Sequence, residues 1–318
     1  MKKIILITAL FLSVFQCRVF SQSCCGGSFY DIAVLSLDKH ALFNAGVNYE
    51  NFSGSWNQKG TWNKLSNTSW QMRPVIAGAY RFNKFLQAGI TIPFVINRNN
   101  LQGLDPQASG IGDLTLSGRF ELFHEYQRYK SGDGYKIDSR KPYLAVTFGL
   151  TLPTGKSDET AETETKITGK GVFSTLLGLS AVKSLIQKKL QVGLDLNWQH
   201  NFQKTYDKIY NMPLSEQQTK KLGDRVNFGL SLIYLINDIH AASLSVGGFR
   251  QGNYKINGIT GGDSDEGSLN FSGSYTYYPM PNLRITPTFK WFMPKDNFGK
   301  NAPGSTVYTV NFVYYIEY

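Results

Sequence analysis

Cysteine is scarce, long apolar runs are almost absent, and acidic side chains are outnumbered. The chain of 318 residues has three cysteines, Cys17, Cys24 and Cys25. So few exclude a disulfide framework. Cys24 and Cys25 are neighbours, and adjacent residues rarely reach the Cα separation that a relaxed disulfide prefers. Two thiols with no second pair make an incomplete zinc or copper set, so no metal site is expected. A bond from either cysteine to another chain stays open. The one long apolar run, residues 4–15, follows Lys2 and Lys3 and precedes the small residues Ser21 and Ser23. Such a run is too short to cross a bilayer and has the form of an export signal, with cleavage expected after Ser21. Cleavage after Ser23 is the alternative and would leave Cys24 first, as in lipid-attached proteins. Mean hydropathy is −0.25. With no further apolar run, a helical membrane protein is excluded.

Lys and Arg number 33 against 23 Asp and Glu, a formal net charge of +10, of which Lys2, Lys3 and Arg18 in the leader carry three. The remaining charges are scattered with no basic stripe, so nucleic acid is not an expected partner. There are four histidines, His40, His124, His200 and His240. None pairs with a serine two residues on along a strand face, and there is no Gly-x-Ser-x-Gly elbow, so no enzyme activity is expected. The absence of a glycine-rich phosphate loop or nucleotide motif removes any expected cofactor.

What the chain does have is 18 Tyr, 21 Phe and 31 Gly, the aromatic-rich and glycine-rich composition of transmembrane β-barrels. It also has period-two patterning. In the stretch KPYLAVTFGLTLP, Leu144, Val146, Phe148, Leu150 and Leu152 fall on one face. Tyr143, Ala145, Thr147, Gly149 and Thr151 fall on the other, because successive strand side chains alternate. The same alternation places strands at about 41–52, 69–82, 85–96, 110–124, 141–154, 173–186, 189–202, 224–236, 239–250, 267–278, 281–292 and 305–318. Each is long enough to cross a membrane, and longer than the five or six residues usual in soluble sheets. The expected fold is all-β, an antiparallel up-and-down barrel of about twelve strands over 41–318. The leader covers 1–21, and 22–40 forms an extension or plug.

Connections alternate in length. Phe82-Asn83-Lys84-Phe85, Ile186-Gln187-Lys188-Lys189, Ile236-Asn237-Asp238-Ile239 and Tyr278-Pro279-Met280-Pro281 read as tight turns. Residues 53–68, 97–109, 155–172, 203–223, 251–266 and 293–304 read as long polar loops. Short turns on the periplasmic side and long loops outside is the asymmetry of outer-membrane barrels. The connection 125–140 is the exception, long where a short one is expected. The acidic run 158–164 reads as a solvated external loop. At the C-terminus Tyr308, Val310, Phe312, Tyr314, Ile316 and Tyr318 share one face. That row resembles the signal read by barrel assembly machinery. The machinery, outer-membrane lipid and lipopolysaccharide are the expected partners, in a Gram-negative outer membrane.

Two motifs stand one hairpin apart. Gly110-Ile111-Gly112-Asp113 opens the fourth strand, and Leu152-Pro153-Thr154-Gly155 closes the fifth. With Cys24-Cys25-Gly26-Gly27, they resemble the outer-membrane family labelled "putative MetA-pathway of phenol degradation". The likeness is clearest over residues 110–155. It implies a barrel acting as an outer-membrane channel or transporter. Physically, Gly110 and Gly112 let the backbone bend at a strand entrance, and Pro153 and Gly155 end strand pairing and aim the loop. Asp113 alternates with Thr115, Ser117, Arg119 and Glu121, placing it inward near the outer rim.

The expected inner wall also carries Arg73, Arg81, Asp195, Arg284, Lys290 and Glu317. Charges are costly against lipid and tolerable in water. Their basic excess leans towards anions. The expected role is passive passage of a small solute through a polar lumen. Two alternatives remain: uptake of hydrophobic or aromatic compounds through a plugged barrel, and a closed barrel making surface contacts through 53–68 and 203–223.

Overall fold

A computed structural model describes residues 35, 39–99, 107–122, 128–131, 134–137, 142–186, 189–237 and 239–316. The leader, Cys24, Cys25, Glu317 and Tyr318 lie outside the described residues. The chain forms a closed antiparallel barrel of twelve strands. They are β1 (Ala41–Trp56), β2 (Trp62–Arg81), β3 (Leu86–Asn99), β4 in two segments (Gln107–Ile111 and Leu114–Leu122), β5 (Tyr143–Leu152) and β6 (Ser174–Ile186). β7 (Leu190–Asn201), β8 (Arg225–Leu235), β9 (His240–Gln251), β10 (Glu266–Met280), β11 (Leu283–Trp291) and β12 (Pro303–Ile316) complete it. Each strand pairs with its chain neighbours. β1 also pairs with β12, Ala41 lying opposite Ile316, so the barrel closes on itself. Closure is what permits strands to cross lipid, because every backbone N–H and C=O must find a partner within the protein.

Strand parity decides what each face meets. Phe148, Leu194, Leu230 and Phe312 are 49–52% exposed on the outside. Ala145, Thr147 and Thr151 on the inner face of β5 are buried. Aromatic rings collect at both ends of the outer apolar belt. Tyr80 packs on Phe82 and Phe85 on Phe120 at the short-turn end, and Tyr49 on Trp70 at the other. These amphipathic positions suit the two membrane–water interfaces.

The short turns are made by asparagine side chains. Asn83 Oδ1 accepts from the N–H groups of Phe85 and Leu86, and Asn237 Oδ1 from that of Ile239. The anomalous connection after β4 contains a small hairpin, Arg128–Ser131 with Gly134–Ile137. It is an insertion on the short-turn side and leaves the strand count at twelve.

Three stretches expected as loops contain sheet instead. Residues 53–68 continue β1 and β2 past a register shift between Phe52 and Gly54. They turn only at 57–61, where Asn57 Oδ1 accepts from the N–H groups of Lys59 and Thr61. Within 203–223 and 251–266, Lys204–Ile209, Met212–Lys221, Lys255–Ile256 and Ile259–Thr260 form a separate four-stranded sheet. Its turns carry positive φ at Tyr210, Asn211, Asn257 and Gly258, the geometry of two-residue hairpins with matching twist. These hairpins bury only isolated rings such as Trp56 and Tyr206 and carry no continuous apolar stripe, so alternation does not announce them.

The outward register yields a first prediction. Phe148→Arg should cost about 2–4 kcal/mol of folding stability in lipid vesicles, the depth-dependent penalty of a cation against lipid. Thr147 is a poor inward control, being buried and receiving Arg119 Nη1 at 3.2 Å. Gln191 faces inward and is only part-buried, and Gln191→Arg should cost far less. Equal losses at 148 and 191, measured by urea titration, would refute the register.

Candidate functional site: the lumen and its two mouths

The lumen has two unlike walls. Along β1–β4 and β12 the inward side chains are mostly buried, and they include Glu50, Arg73, Arg81 and Glu121. Arg73 Nη2 lies 2.6 Å from Glu50 Oε2, and Ser305 Oγ donates to Glu50 Oε1 at 2.6 Å. Arg73 Nη1 donates to Gln71 Oε1 at 2.7 Å, and Gln71 Nε2 donates to Asn97 Oδ1 at 2.5 Å. Asn97 Nδ2 then donates to the carbonyls of Thr165 and Ile167, at 3.0 and 2.6 Å. Those two carbonyls belong to the loop after β5. Asn97 is an inward residue of β3, so the loop is folded into the outer mouth.

A second network sits at the short-turn end. Arg81 grips Glu121 through Nη1 at 2.6 Å and Nη2 at 3.1 Å. Gln87 Nε2 and Tyr143 Oη donate to the same carboxylate at 2.6 and 2.9 Å. Gln87 Oε1 accepts the Leu35 N–H at 2.8 Å, and Arg81 Nε donates to the Lys39 carbonyl at 3.2 Å. Leu35 is buried against Leu42, Ala77, Ala79, Val313 and Tyr315, all inward-facing. Leu35 is therefore held inside the barrel at the short-turn end. Arg119 extends the network sideways. It donates to Tyr143 Oη, Thr147 Oγ1 and Ser180 Oγ, and Ser180 Oγ donates to Asp195 Oδ1 at 2.7 Å. Arg119 and Asp195 thus share one serine hydroxyl across four strands.

The paired motifs form a clasp. Asp113 lies in the break between the two segments of β4. Its carboxylate accepts the Gly155 N–H at 3.0 Å and the Lys170 N–H at 2.6 Å, the two ends of the loop. Thr154 Oγ1 donates to the Gly112 carbonyl at 2.7 Å and accepts the Leu114 N–H at 3.0 Å. Thr168 Oγ1 donates to the Ile111 carbonyl at 2.8 Å. Gly155 and Gly169 lie backbone against backbone. A Cβ on Gly155 would stand 2.7 Å from Gly169 Cα, and one on Gly169 would stand 2.2 Å from Asp113 Oδ1. A Cβ on Gly110 would press on Thr168, and one on Gly112 on Pro93. Pro153 ends the pairing of β5 just before this clasp.

The acidic run is solvated only in part: Thr160 and Glu162 are exposed, but its other acids are paired or half-buried. Asp158 pairs with Lys220 at 2.8 Å and Glu159 with Lys204 at 2.5 Å. Ala161, Thr165, Thr168 and Val172 are buried. Burial pushes the Glu164 carboxyl above the usual carboxylate range. Burial, with Asp158 and Glu159 close by, also pushes the Tyr206 hydroxyl up. The four-stranded sheet and the loop lock together through these ion pairs.

The remaining wall, β8–β11, is lined inwardly by Ser231, Ser243, Ser245, Asn270, Ser272, Ser274, Thr276, Thr286 and Thr288, all partly exposed. Arg284 and Lys290 also face inward on β11. The Arg284 guanidinium lies 5.6 Å over the Tyr315 ring, and Lys290 stands opposite Ser272 and Val307 in register. Glu50, Gln71, Gln87, Asn97 and Tyr143 were not among the expected site residues. Period-two parity in the stretch LQAGITIPFVIN carried the signal for Gln87 and Asn97, which a search for charge alone passes over, and parity in NAGVNYE places Glu50 inward.

A closed barrel with an apolar outer belt, a polar interior and aromatic girdles defines a membrane-spanning barrel of the outer-membrane type. The chain belongs to the family described as "Putative MetA-pathway of phenol degradation", whose model matches residues 80–302. An outer membrane channel from Pseudomonas putida F1 superposes with a TM-score of 0.67 at 16% identity, covering 90% of this chain and 98% of that one. The β-domain of the Bordetella autotransporter BrkA is more distant. It has a TM-score of 0.48 at 10% identity, over 87% of this chain and 100% of that one.

Proposed function

We propose that the chain is an outer-membrane channel for passive passage of a small solute through its polar lumen. The observation that carries this reading is the part-exposed, hydroxyl-rich inner face of β8–β11. A barrel serving only as a scaffold gains nothing from a solvated polar wall. The Pseudomonas putida structure is described as an outer membrane channel, which supports the same role. In this reading Arg119, Asp195, Arg284 and Lys290 line the path. Arg73, Arg81 and Glu121 instead brace its mouths, and Asp113 holds the outer loop. Export by a cleaved leader, insertion by barrel assembly machinery, and lipopolysaccharide as the outer neighbour belong to the proposal.

A second reading has an observation of its own. Leu35, buried among inward apolar side chains, favours a barrel plugged at the inner mouth, as expected of a channel for hydrophobic compounds.

Purified protein in a planar bilayer should show small stepwise currents, since a twelve-stranded barrel lies between filled eight-stranded and wide sixteen-stranded cases. Arg284→Gln should move ion preference away from anions and Asp195→Asn away from cations. Each shift should be about two- to fivefold, the effect of a unit charge a few ångströms from a watery path. A silent barrel that also fails to speed solute uptake into liposomes would overturn the channel reading.

A further inference from the structure

The lumen charges are largely spent on one another. Glu50 and Arg73 form one buried pair and Arg81 and Glu121 another. Arg119 and Asp195 are joined through the Ser180 hydroxyl. The excess of basic residues that leaned towards anions therefore does not reach the path at full strength. Opposite this wall stand β9 and β10, six strands round the barrel from β3 and β4. Their inward residues at mid-depth carry no charge: Ser243, Ser245 and Gly247 on β9, and Asn270, Ser272, Ser274 and Thr276 on β10.

The hydroxyls on this wall are arranged in rungs. Ser245 Oγ lies 2.8 Å from Ser272 Oγ, and Ser243 Oγ lies 2.7 Å from Ser274 Oγ. Thr276 Oγ1 lies 3.4 Å from Thr286 Oγ1. Residues 272, 274 and 276 are successive inward positions of β10, so the rungs follow one another at about 6.7 Å along the strand. Within each pair one hydroxyl donates to the other. The accepting hydroxyl keeps its own proton for the lumen, and both oxygens keep lone pairs. Each rung thus offers a donor and acceptors to whatever passes.

Resting on the channel reading, we infer that the solute path follows this ladder. We infer too that the preferred solutes are uncharged molecules with several hydroxyl groups, polyols and small sugars. Such a solute exchanges hydrogen bonds with water for hydrogen bonds to a rung, then to the next. Each exchange is nearly balanced, so the solute is held at no one point, as conduction requires. An apolar solute of equal size finds no partner on the rungs. An ion meets charge only beside them, at Lys290 opposite Ser272 and at Arg284, while the rungs themselves offer it none.

Swelling of proteoliposomes in xylitol, in gluconate, and in diglyme (a neutral solute of similar size without hydroxyls) tests the inference. Wild-type protein should admit xylitol fastest. Ser243→Ala, Ser245→Ala, Ser272→Ala and Ser274→Ala together leave the main-chain ladder intact. They should slow xylitol about fivefold or more, with gluconate and potassium chloride conductance changed less than about twofold. Unchanged xylitol influx in that variant overturns the inference, as does a wild-type preference for diglyme or gluconate. If nothing passes, including salt, the channel reading fails with it. Should the fourfold variant not fold, Ser245→Cys, in a Cys24→Ser and Cys25→Ser background, gives a second measure. A membrane-impermeant thiol reagent should label it in the inserted barrel and slow xylitol. Absence of labelling, or labelling that leaves xylitol influx unchanged, counts against the ladder as the path.

Discussion

Asp113→Ala should raise single-channel conductance and expose 155–172 to protease. The Asp113 carboxylate accepts from both ends of the outer loop, at Gly155 and Lys170. Hydrogen bonds to an ionised acceptor contribute about 1.5–3 kcal/mol each, and two are lost together. The docked loop keeps the Asn97 bonds and the Asp158–Lys220 and Glu159–Lys204 pairs, so it is loosened, not freed. A net shift of about 2–4 kcal/mol raises the undocked fraction by more than about tenfold. Asp113→Asn should fall between, because one of its two acceptor oxygens becomes an N–H₂ facing a backbone N–H. The measurements are conductance in planar bilayers and the rate of cleavage within the loop on vesicles. If both stay at wild-type values in Asp113→Ala, the clasp has no part in closing the outer mouth.

Glu121→Leu should be the most destabilising single change in the barrel interior. Glu121 is fully buried and receives Arg81, Gln87 and Tyr143. Removing it leaves the Arg81 guanidinium buried without its counter-charge, a cost of about 3–5 kcal/mol. Replacing both partners, Arg81→Leu with Glu121→Leu, should recover much of that loss, since neither charge is then stranded. Gln87 and Arg81 also hold Leu35 and the Lys39 carbonyl. Both variants should therefore let a reporter at Leu35 move into water. Urea titration of vesicle-inserted protein, read as a double-mutant cycle, gives the coupling. A loss below about 1 kcal/mol for Glu121→Leu would mean that water reaches Arg81, contrary to its burial.

Most of the barrel was legible because lipid on one side and polar groups on the other impose alternation. The strand read at 189–202 is Leu190–Asn201, and that read at 239–250 is His240–Gln251. Legibility fails where that contrast ends. Beyond the membrane, β1 and β2 continue as a polar hairpin, and the stretch at 53–68 looks like any wet loop. The fourth strand was read as one piece. It is broken at Gly112–Asp113, because Asp113 turns from the ladder to the loop. The site was legible only in part. Parity brought Arg73, Arg81, Arg119, Glu121 and Asp195 to the inner face, but it cannot say which charges meet across strands. Those pairings depend on register, which a turn such as 82–85 sets only after folding. The loop's entry into the mouth was hidden because its acids look solvated until Lys204 and Lys220, some forty to sixty residues away, come alongside.

The meeting of β1 with β12 has a consequence for the life of the chain. Ala41 to Ser55 find half their main-chain partners on Ile316 to Pro303, far along the chain. Ser305 and Thr309 also complete the side-chain bonds of Glu50 and Asn48. Until that segment arrives, two ragged margins carry rows of unmatched peptide groups, each costing several kcal/mol in hydrocarbon. A chain clipped or stalled before residue 303 therefore has no stable residence in lipid, however sound its other eleven strands. The join therefore acts as a latch: a chain lacking either of these two strands keeps two open margins that lipid cannot satisfy.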